Sequence, residues 1–259
     1  MFLPAAIRNL MAGSSKGAAL SVYKSGPGTQ ALLANQALDR GRSVVVVLPD
    51  EPSLKEFRSL VRLLHGADAQ RVFWDRQWIA LEGFDPGEKA SSWASRWASL
   101  FALKEGRKPL GAMLTLDNLL PLWPEPKVLD REYEFLMPGE TISPQQIVDS
   151  CIAWGYERVS MTTRTGELSL RGDILDVFAP GYDSPLRLEF FGDHLESIRL
   201  FEPLTQRSKE QLGEAVLLPV SPAICTTEHV NAAREHWAHL WKTGVLSKTA
   251  KASLEQRVL

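Results

Sequence analysis

The 259-residue sequence predicts an α/β protein, with a parallel-sheet domain of nucleotide-binding type followed by a smaller α+β domain built on an antiparallel sheet. Three observations carry that prediction. Helical and strand patterns alternate over residues 1–128, as they do where strands are joined by crossover helices. The segment Pro121-Leu122-Trp123-Pro124-Glu125-Pro126 then sets three prolines in six residues, and proline lacks the backbone donor that helix and sheet both require. From Arg158 to Phe201 the period changes to two, broken by Gly172-Asp173 and Gly192-Asp193, the pattern of hairpins with tight turns.

In chain order, the first domain reads as a helix over 3–12, a strand at Ala19–Val22, a helix over Thr29–Asp39, the strand Val44–Leu48 and a helix over Ser53–His65. A short strand at Val72-Phe73, a helix over Ser91–Glu105 and a strand at Gly111–Thr115 leading into Leu116–Leu122 complete it. Val44–Leu48 is an unbroken apolar run between Gly41-Arg42 and Pro49-Asp50, which suits a buried parallel strand. The proline segment is the domain boundary, so the second domain spans 129–219. It has one helix, with Ser143 as N-cap and Pro144 at the first turn, running through Ile147, Val148, Cys151 and Ile152 to Gly155. Leu168-Ser169-Leu170-Arg171, Ile174–Phe178, Leu186–Phe191 and His194–Phe201 are its strands. Such a sheet packs one face on a core and offers the other, here Glu167, Ser169 and Arg171, to water or a partner. Residues 220–259 form a third segment with a helix over Thr227–Trp241, and its polar tail stops at Leu259 inside a periodic pattern, as a fragment of a longer protein would.

Composition narrows the function classes. A net charge of −2 argues against the basic field on which sequence-independent nucleic-acid binding depends. The two cysteines, Cys151 and Cys225, are far apart, so neither a disulfide framework nor a zinc site is indicated and a reducing cytoplasm fits. The apolar opening Met1–Ile7 has no basic start and is cut short by Arg8, well before the length of a spanning helix, so no membrane role follows.

Several motifs carry possible chemistry. Tyr23-Lys24-Ser25-Gly26-Pro27-Gly28-Thr29-Gln30 lies between a strand and a helix, where a phosphate-binding loop belongs. A working loop follows its last glycine with Lys and then Ser or Thr, whereas Thr29 and Gln30 follow Gly28 here and Pro27 removes a backbone donor, so the loop is degenerate. Trp74, Trp78, Phe84, Trp93, Trp97 and Phe101 could stack bases, but Trp93, Trp97 and Phe101 recur every four residues as the buried stripe of a helix does. His236 and His239 are a helical pair that reads as a solvated face. Cys151 falls on an apolar helix face, and Asp173 and Asp176 receive no acid or base role. Arg158 and Arg171 read either as sheet arginines paired with Glu157, Glu167 or Glu189, or as forks offered to carboxylates of a partner.

The run Gly155-Tyr156-Glu157-Arg158-Val159, then Gly166 through Gly181, then Arg187-Leu188-Glu189-Phe190-Phe191-Gly192-Asp193 with Glu196-Ser197-Ile198-Arg199, resembles the second domain shared by UvrB and the transcription-repair coupling factors. Thr205-Gln206-Arg207-Ser208 and Val216-Leu217-Leu218-Pro219 continue the resemblance. Gly28-Thr29-Gln30 in place of an intact Gly-Lys-Thr loop, and no long aromatic hairpin for gripping DNA, favour the coupling-factor side of the pair. That resemblance implies a degenerate helicase-like first domain interrupted by the small domain, with 220–259 as the return segment. It also implies a non-enzymatic role in which the small domain imitates UvrB and binds UvrA, recruiting excision repair to stalled RNA polymerase. Polymerase and DNA contacts, with ATP and magnesium, belong on this reading to a motor downstream of this chain, which itself needs no cofactor. Arg158 and Arg171 match positions where UvrB's domain meets UvrA with arginines, Glu167 is assigned to the same interface, and Ser169 stands where UvrB has a further arginine. The competing reading is a fragment of a UvrB-type ATP-dependent damage-binding helicase.

Overall fold

The computed structural model describes residues 25–65, 73–81, 90–106, 108–119, 127–222, 224 and 227–242. The helix expected over 3–12, the strand at Ala19–Val22, the proline segment 121–126 and the tail after 242 lie outside these residues.

Helix α1 (Pro27–Asp39), strand β1 (Val44–Leu48) and helix α2 (Glu51–His65) follow the expected pattern. The α2 N-terminus is held by Asp50, whose carboxylate accepts from the Ser53 backbone N–H at 2.8 Å. Strands β2 (Trp78–Leu81) and β3 (Gly111–Thr115) join β1 in a parallel sheet of order β1-β3-β2. Helix α3 (Ala90–Glu105) separates β2 from β3 in sequence, and the short helix α4 (Leu116–Leu119) follows β3.

Two expectations are corrected here. Val72 lies outside the described residues, and Phe73, expected in a strand with it, instead opens a turn of 3₁₀ helix, Phe73–Asp75, while β2, which the sequence does not single out, supplies the strand. Phe73 is held by ring contacts with Trp74, Phe101 and Tyr182, which no extended segment would bring together. Strand β1 was expected to be buried throughout, but Val45 and Val47 are exposed while Leu48 is buried and Val44 and Val46 pack inward. The inward side meets Leu38 of α1 and Leu54, Phe57 and Val61 of α2. On the other side Ile79 packs with Trp97, Ala98 and Phe101 of α3.

The second half opens with β4 (Glu134–Leu136) and helix α5 (Pro144–Ala153), with Ser143 at the N-cap and Pro144 in the first turn. A Schellman pair ends α5: Gly155 N–H donates to the Ile152 carbonyl at 3.0 Å and Tyr156 N–H to that of Cys151 at 3.0 Å. Gly155 sits at φ +94°, which an L side chain rarely adopts, and a Cβ there would meet Ser221.

Six strands then form one sheet of order β10-β9-β8-β7-β6-β5: β5 (Glu157–Arg158), β6 (Glu167–Arg171), β7 (Ile174–Val177), β8 (Leu186–Phe191), β9 (His194–Phe201) and β10 (Ser208–Leu212). All neighbours are antiparallel except β5, which runs parallel to β6 at the edge. Gly172 and Gly192 each take φ +59° at the first turn position, while Asp173 and Asp193 after them do not enter positive φ. That is the type II′ hairpin, whose twist suits the two strands it joins. Strand β11 (Ala215–Leu217) returns to pair with β4, and helix α6 (Thr227–Lys242) follows.

Helix α5 lies on one face of the six-stranded sheet. Ile147, Val148 and Cys151 pack there with Leu168, Leu175, Val177, Leu186, Leu188 and Ile198. A second cluster joins the two halves of the chain, bringing Val216 and Leu218 against Phe73, Trp97 and Phe101. Buried tryptophans and tyrosines stitch it with polar tips: Trp97 Nε1 donates to the Ser221 carbonyl at 3.0 Å and Tyr156 Oη to that of Leu218 at 2.8 Å.

The polar face of the antiparallel sheet as a candidate docking site

Side chains at paired positions of neighbouring strands share a face. Register therefore sorts the sheet. Leu168, Val177, Leu186 and Leu200 lie on the face toward α5, whereas Ser169, Asp176, Arg187 and Arg199 line up across the other face. Arg171 is on this second face, paired with Ile174.

Asp176 is at its centre and is 1% exposed. Its Oδ1 accepts from Arg187 Nε at 2.7 Å, and its Oδ2 accepts from Arg187 Nη2 at 2.8 Å and from Arg171 Nη2 at 2.7 Å. Arg187 thus forks onto the carboxylate with both donors, a geometry that lysine cannot reproduce. The same Arg187 Nη2 also donates to Gln206 Oε1 at 2.7 Å, and the guanidinium lies 4.3 Å from the centre of the Phe201 ring. Hydrogen bonding to Asp176 outweighs burial and raises the Arg187 pKa, so its charge is permanent. Gln206 is the one described non-glycine residue at positive φ, +59°, and its Nε2 donates back to the Pro203 carbonyl at 2.7 Å. Beside this group, Arg199 pairs with Glu189 at 3.4 Å and the Ser197 hydroxyl also donates to Glu189.

Glu167 and Ser169, expected to face water or a partner, are buried. The loop between β5 and β6 folds over that end of the sheet. Glu167 Oε2 accepts from the backbone N–H groups of Thr163 and Arg164 at 2.8 and 2.9 Å and from the Thr163 hydroxyl at 3.1 Å, while Oε1 accepts from Arg164 Nε at 3.0 Å. Burial alone would raise the Glu167 pKa, but these four donors outweigh it and hold the carboxyl below its ordinary value. Ser169 Oγ donates to the Ser160 carbonyl at 3.2 Å. Both residues are therefore engaged in closing the loop within the chain.

Arg158 and Arg171 are placed differently from each other. Arg158 pairs in register with Leu168, and so stands on the opposite pleat from Arg171. It is exposed on the edge strand β5 and has no hydrogen-bond or ion-pair partner among the described residues. Arg171 ends β6 and its side chain is 51% exposed. Its partner is Asp176, not any of the glutamates Glu157, Glu167 or Glu189. Strand spacing puts the two arginines roughly 11 Å apart, one on either side of the sheet edge.

The Gly26–Gln30 segment is simple in shape. Gly26 is the N-cap of α1, Pro27 begins the helix, and Gly28, Thr29 and Gln30 lie in its first turn. Thr29 and Gln30 N–H groups both donate to the Gly26 carbonyl, and the Gln30 side chain reaches the Ser25 carbonyl at 3.4 Å. Trp97, Phe101, Trp74 and Trp78 are core residues, and burial raises the Cys151 pKa far above that of a free thiol. Among the described residues no group of His, Cys, Asp or Glu could hold a metal ion, and no helix is long and apolar enough to cross a membrane.

Asp176, Arg187 and Gln206 escaped the sequence reading as site residues. One signal for Asp176 was present, because a two-residue Gly172-Asp173 turn forces Arg171 opposite Ile174 and hence Ser169 opposite Asp176. Arg187 and Gln206 arrive across the connections 178–185 and 202–207, whose lengths set no register.

A planar arginine fork suits two-point recognition of a carboxylate. Residues 135–222 match the UvrB interaction domain family. Over 54–74% of its length the chain is similar to transcription-repair coupling factors. It is 34% identical to that of Myxococcus xanthus over 143 residues, which is 54% of this chain and 12% of the relative. It is 33% identical to that of Staphylococcus aureus strain USA300 over 175 residues, 67% of this chain and 15% of the relative. Over 195 residues it is 29% identical to that of Haemophilus influenzae, 74% of this chain and 17% of the relative. The chain thus aligns with less than a fifth of each relative's length.

Proposed function

We propose that this chain is a non-catalytic docking module of transcription-coupled nucleotide excision repair, whose UvrB interaction domain binds UvrA in the manner of UvrB. In a complete coupling factor this contact would bring the excision machinery to RNA polymerase stalled at a lesion, with polymerase and DNA engaged by other parts of the protein.

The observation that carries the reading is Arg171, half exposed and fastened to a buried carboxylate within the segment that matches the UvrB interaction domain. Arg158 stands free on the adjacent edge strand, so the partner is expected to embrace the β5–β6 edge and meet both arginines from their two sides. Glu167 supports the loop next to this edge and acts only through it. Ser169, under that loop, leaves Arg171 as the arginine on this stretch of β6.

The test is a calorimetric titration of UvrA with the wild-type chain and with the Arg158→Ala, Arg171→Ala and doubly substituted chains. Wild type is expected to bind without nucleotide, and truncating an arginine that faces a buried partner charge to cost about 2–5 kcal/mol. Undiminished binding by the double variant would sink the site assignment. Measurable ATP affinity or DNA-stimulated hydrolysis by this chain would overturn its non-catalytic character.

A further inference from the structure

Taking UvrA docking as the working role, we infer that Asp176, clamped from behind by Arg187 and Gln206, is a positioning residue that orients Arg171 to receive a carboxylate of the partner protein. The charges support this. One buried carboxylate serves two guanidinium groups, so the cluster carries a surplus of one positive charge. Arg187 is 14% exposed and is tied by Nε and Nη2 to Asp176 and Gln206, whereas Arg171 is 51% exposed and makes one hydrogen bond among the described residues, through Nη2. The surplus charge is therefore presented by Arg171, whose other donors have no partner among the described residues.

Each behind-the-scenes residue has a distinct task. Asp176 fixes one corner of the Arg171 fork, which removes part of the side-chain freedom that binding would otherwise have to suppress. Arg187 compensates the buried charge that Asp176 would otherwise bear alone. Gln206, in its left-handed turn, keeps Arg187 on the carboxylate instead of on solvent. The four residues come from three stretches of the sequence, Gly166–Gly181, Arg187–Asp193 and Thr205–Ser208, and the fold joins them at one point. A planar fork with free donors fits a carboxylate in two-point fashion, and the chain's net charge of −2 disfavours the phosphates of nucleic acid as the occupant.

Two measurements test the inference. First, UvrA is titrated with the wild type, Arg171→Ala, Asp176→Asn and the double variant, with folding checked by near-ultraviolet circular dichroism. Asp176→Asn is expected to weaken binding about tenfold, about 1.4 kcal/mol, and to add nothing in the Arg171→Ala background. Independent, multiplying losses would overturn the positioning role while leaving UvrA docking intact, and no wild-type binding would remove the docking reading itself. Tight binding to a duplex oligonucleotide, lost in Arg171→Ala, would overturn the carboxylate assignment. Second, the Arg171 Nη–H resonances of the free chain are followed by nuclear magnetic resonance. Restricted rotation in wild type, released in Asp176→Asn or in the milder Gln206→Ala, is the expected result. Free rotation in wild type would overturn the inference whatever the titration gives, and Gln206→Ala keeps it testable if Asp176→Asn fails to fold.

Discussion

The two faces of the six-stranded sheet arise from one alternation and reach dryness by different means. Toward α5, Leu168, Leu175, Leu186, Leu188 and Ile198 are fully buried by apolar packing. On the other side Ser169 and Asp176 are almost as inaccessible, but a folded loop and two arginines cover them. Apolar burial is non-directional, so neighbours on the first face can substitute for one another within limits of volume. Burial on the second face depends on every donor finding its acceptor, and loss of one partner strands another. Alternation thus tells which residues share a face, while wetness is decided by what the connections lay over it.

The largest expected effect breaks the polar face. Asp176→Ala leaves the Arg187 guanidinium with only Gln206 and the Phe201 ring, and removal of one member of a buried pair typically costs roughly 3–5 kcal/mol. Leu188→Ala on the apolar face is expected to cost about 3 kcal/mol through lost transfer energy and a residual cavity. Urea midpoints of the two variants make the comparison directly. An Asp176→Ala protein as stable as wild type would mean that water replaces the carboxylate, so that the face is wet after all.

The comparison also explains what was legible in the sequence. Gly172-Asp173 and Gly192-Asp193 announce their hairpins because a type II′ turn requires positive φ at its first position, and the pair of Asp176 with Ser169 follows from that turn alone. Helix α5 was legible from Ser143-Pro144 and its apolar face, and the Trp97 and Phe101 stripe from its spacing. The burial of Glu167 and Ser169 was not legible, since it depends on residues 160–164 folding back, and no periodicity encodes that. Nor was the opposite placement of Arg158 and Arg171, which depends on a two-residue parallel strand in register with Leu168. Exposed Val45 and Val47 show the same limit in the parallel sheet, where an unbroken apolar run does not guarantee cover on both faces.

An intermediate effect sharpens the comparison through pH. Glu167→Gln replaces a carboxylate that accepts from four donors by a neutral amide with one acceptor oxygen, whose NH2 must then oppose either the loop N–H groups or Arg164 Nε. Hydrogen bonds to a charged acceptor contribute on the order of 1.5–3 kcal/mol. The folded-state pKa of Glu167 is lowered, so wild type holds its advantage over the variant above the ordinary carboxyl range, near ~4.3, and loses it as pH falls through the folded value. Stability differences measured at neutral and at strongly acid pH are expected to shrink toward zero in acid. A difference that does not change with pH would place the contribution in the shape of the loop, not in the charge.

The smallest expected effect compares two arginines with similar partners. Arg164 and Arg171 each pair an exposed guanidinium with a buried carboxylate, but Arg164 is 80% exposed and Glu167 keeps three other donors without it. Arg164→Ala is accordingly expected to change stability by less than about 0.5 kcal/mol, as exposed ion pairs do, and to leave UvrA affinity unchanged. Arg171→Ala should be nearly as mild on stability, because Arg187 continues to compensate Asp176 through both carboxylate oxygens. Its cost should appear in UvrA affinity instead. If Arg164→Ala weakened binding as much as Arg171→Ala, the loop over Glu167 would itself belong to the docking surface, and the partner would have to approach over the closed end of the polar face as well as around the β5 edge.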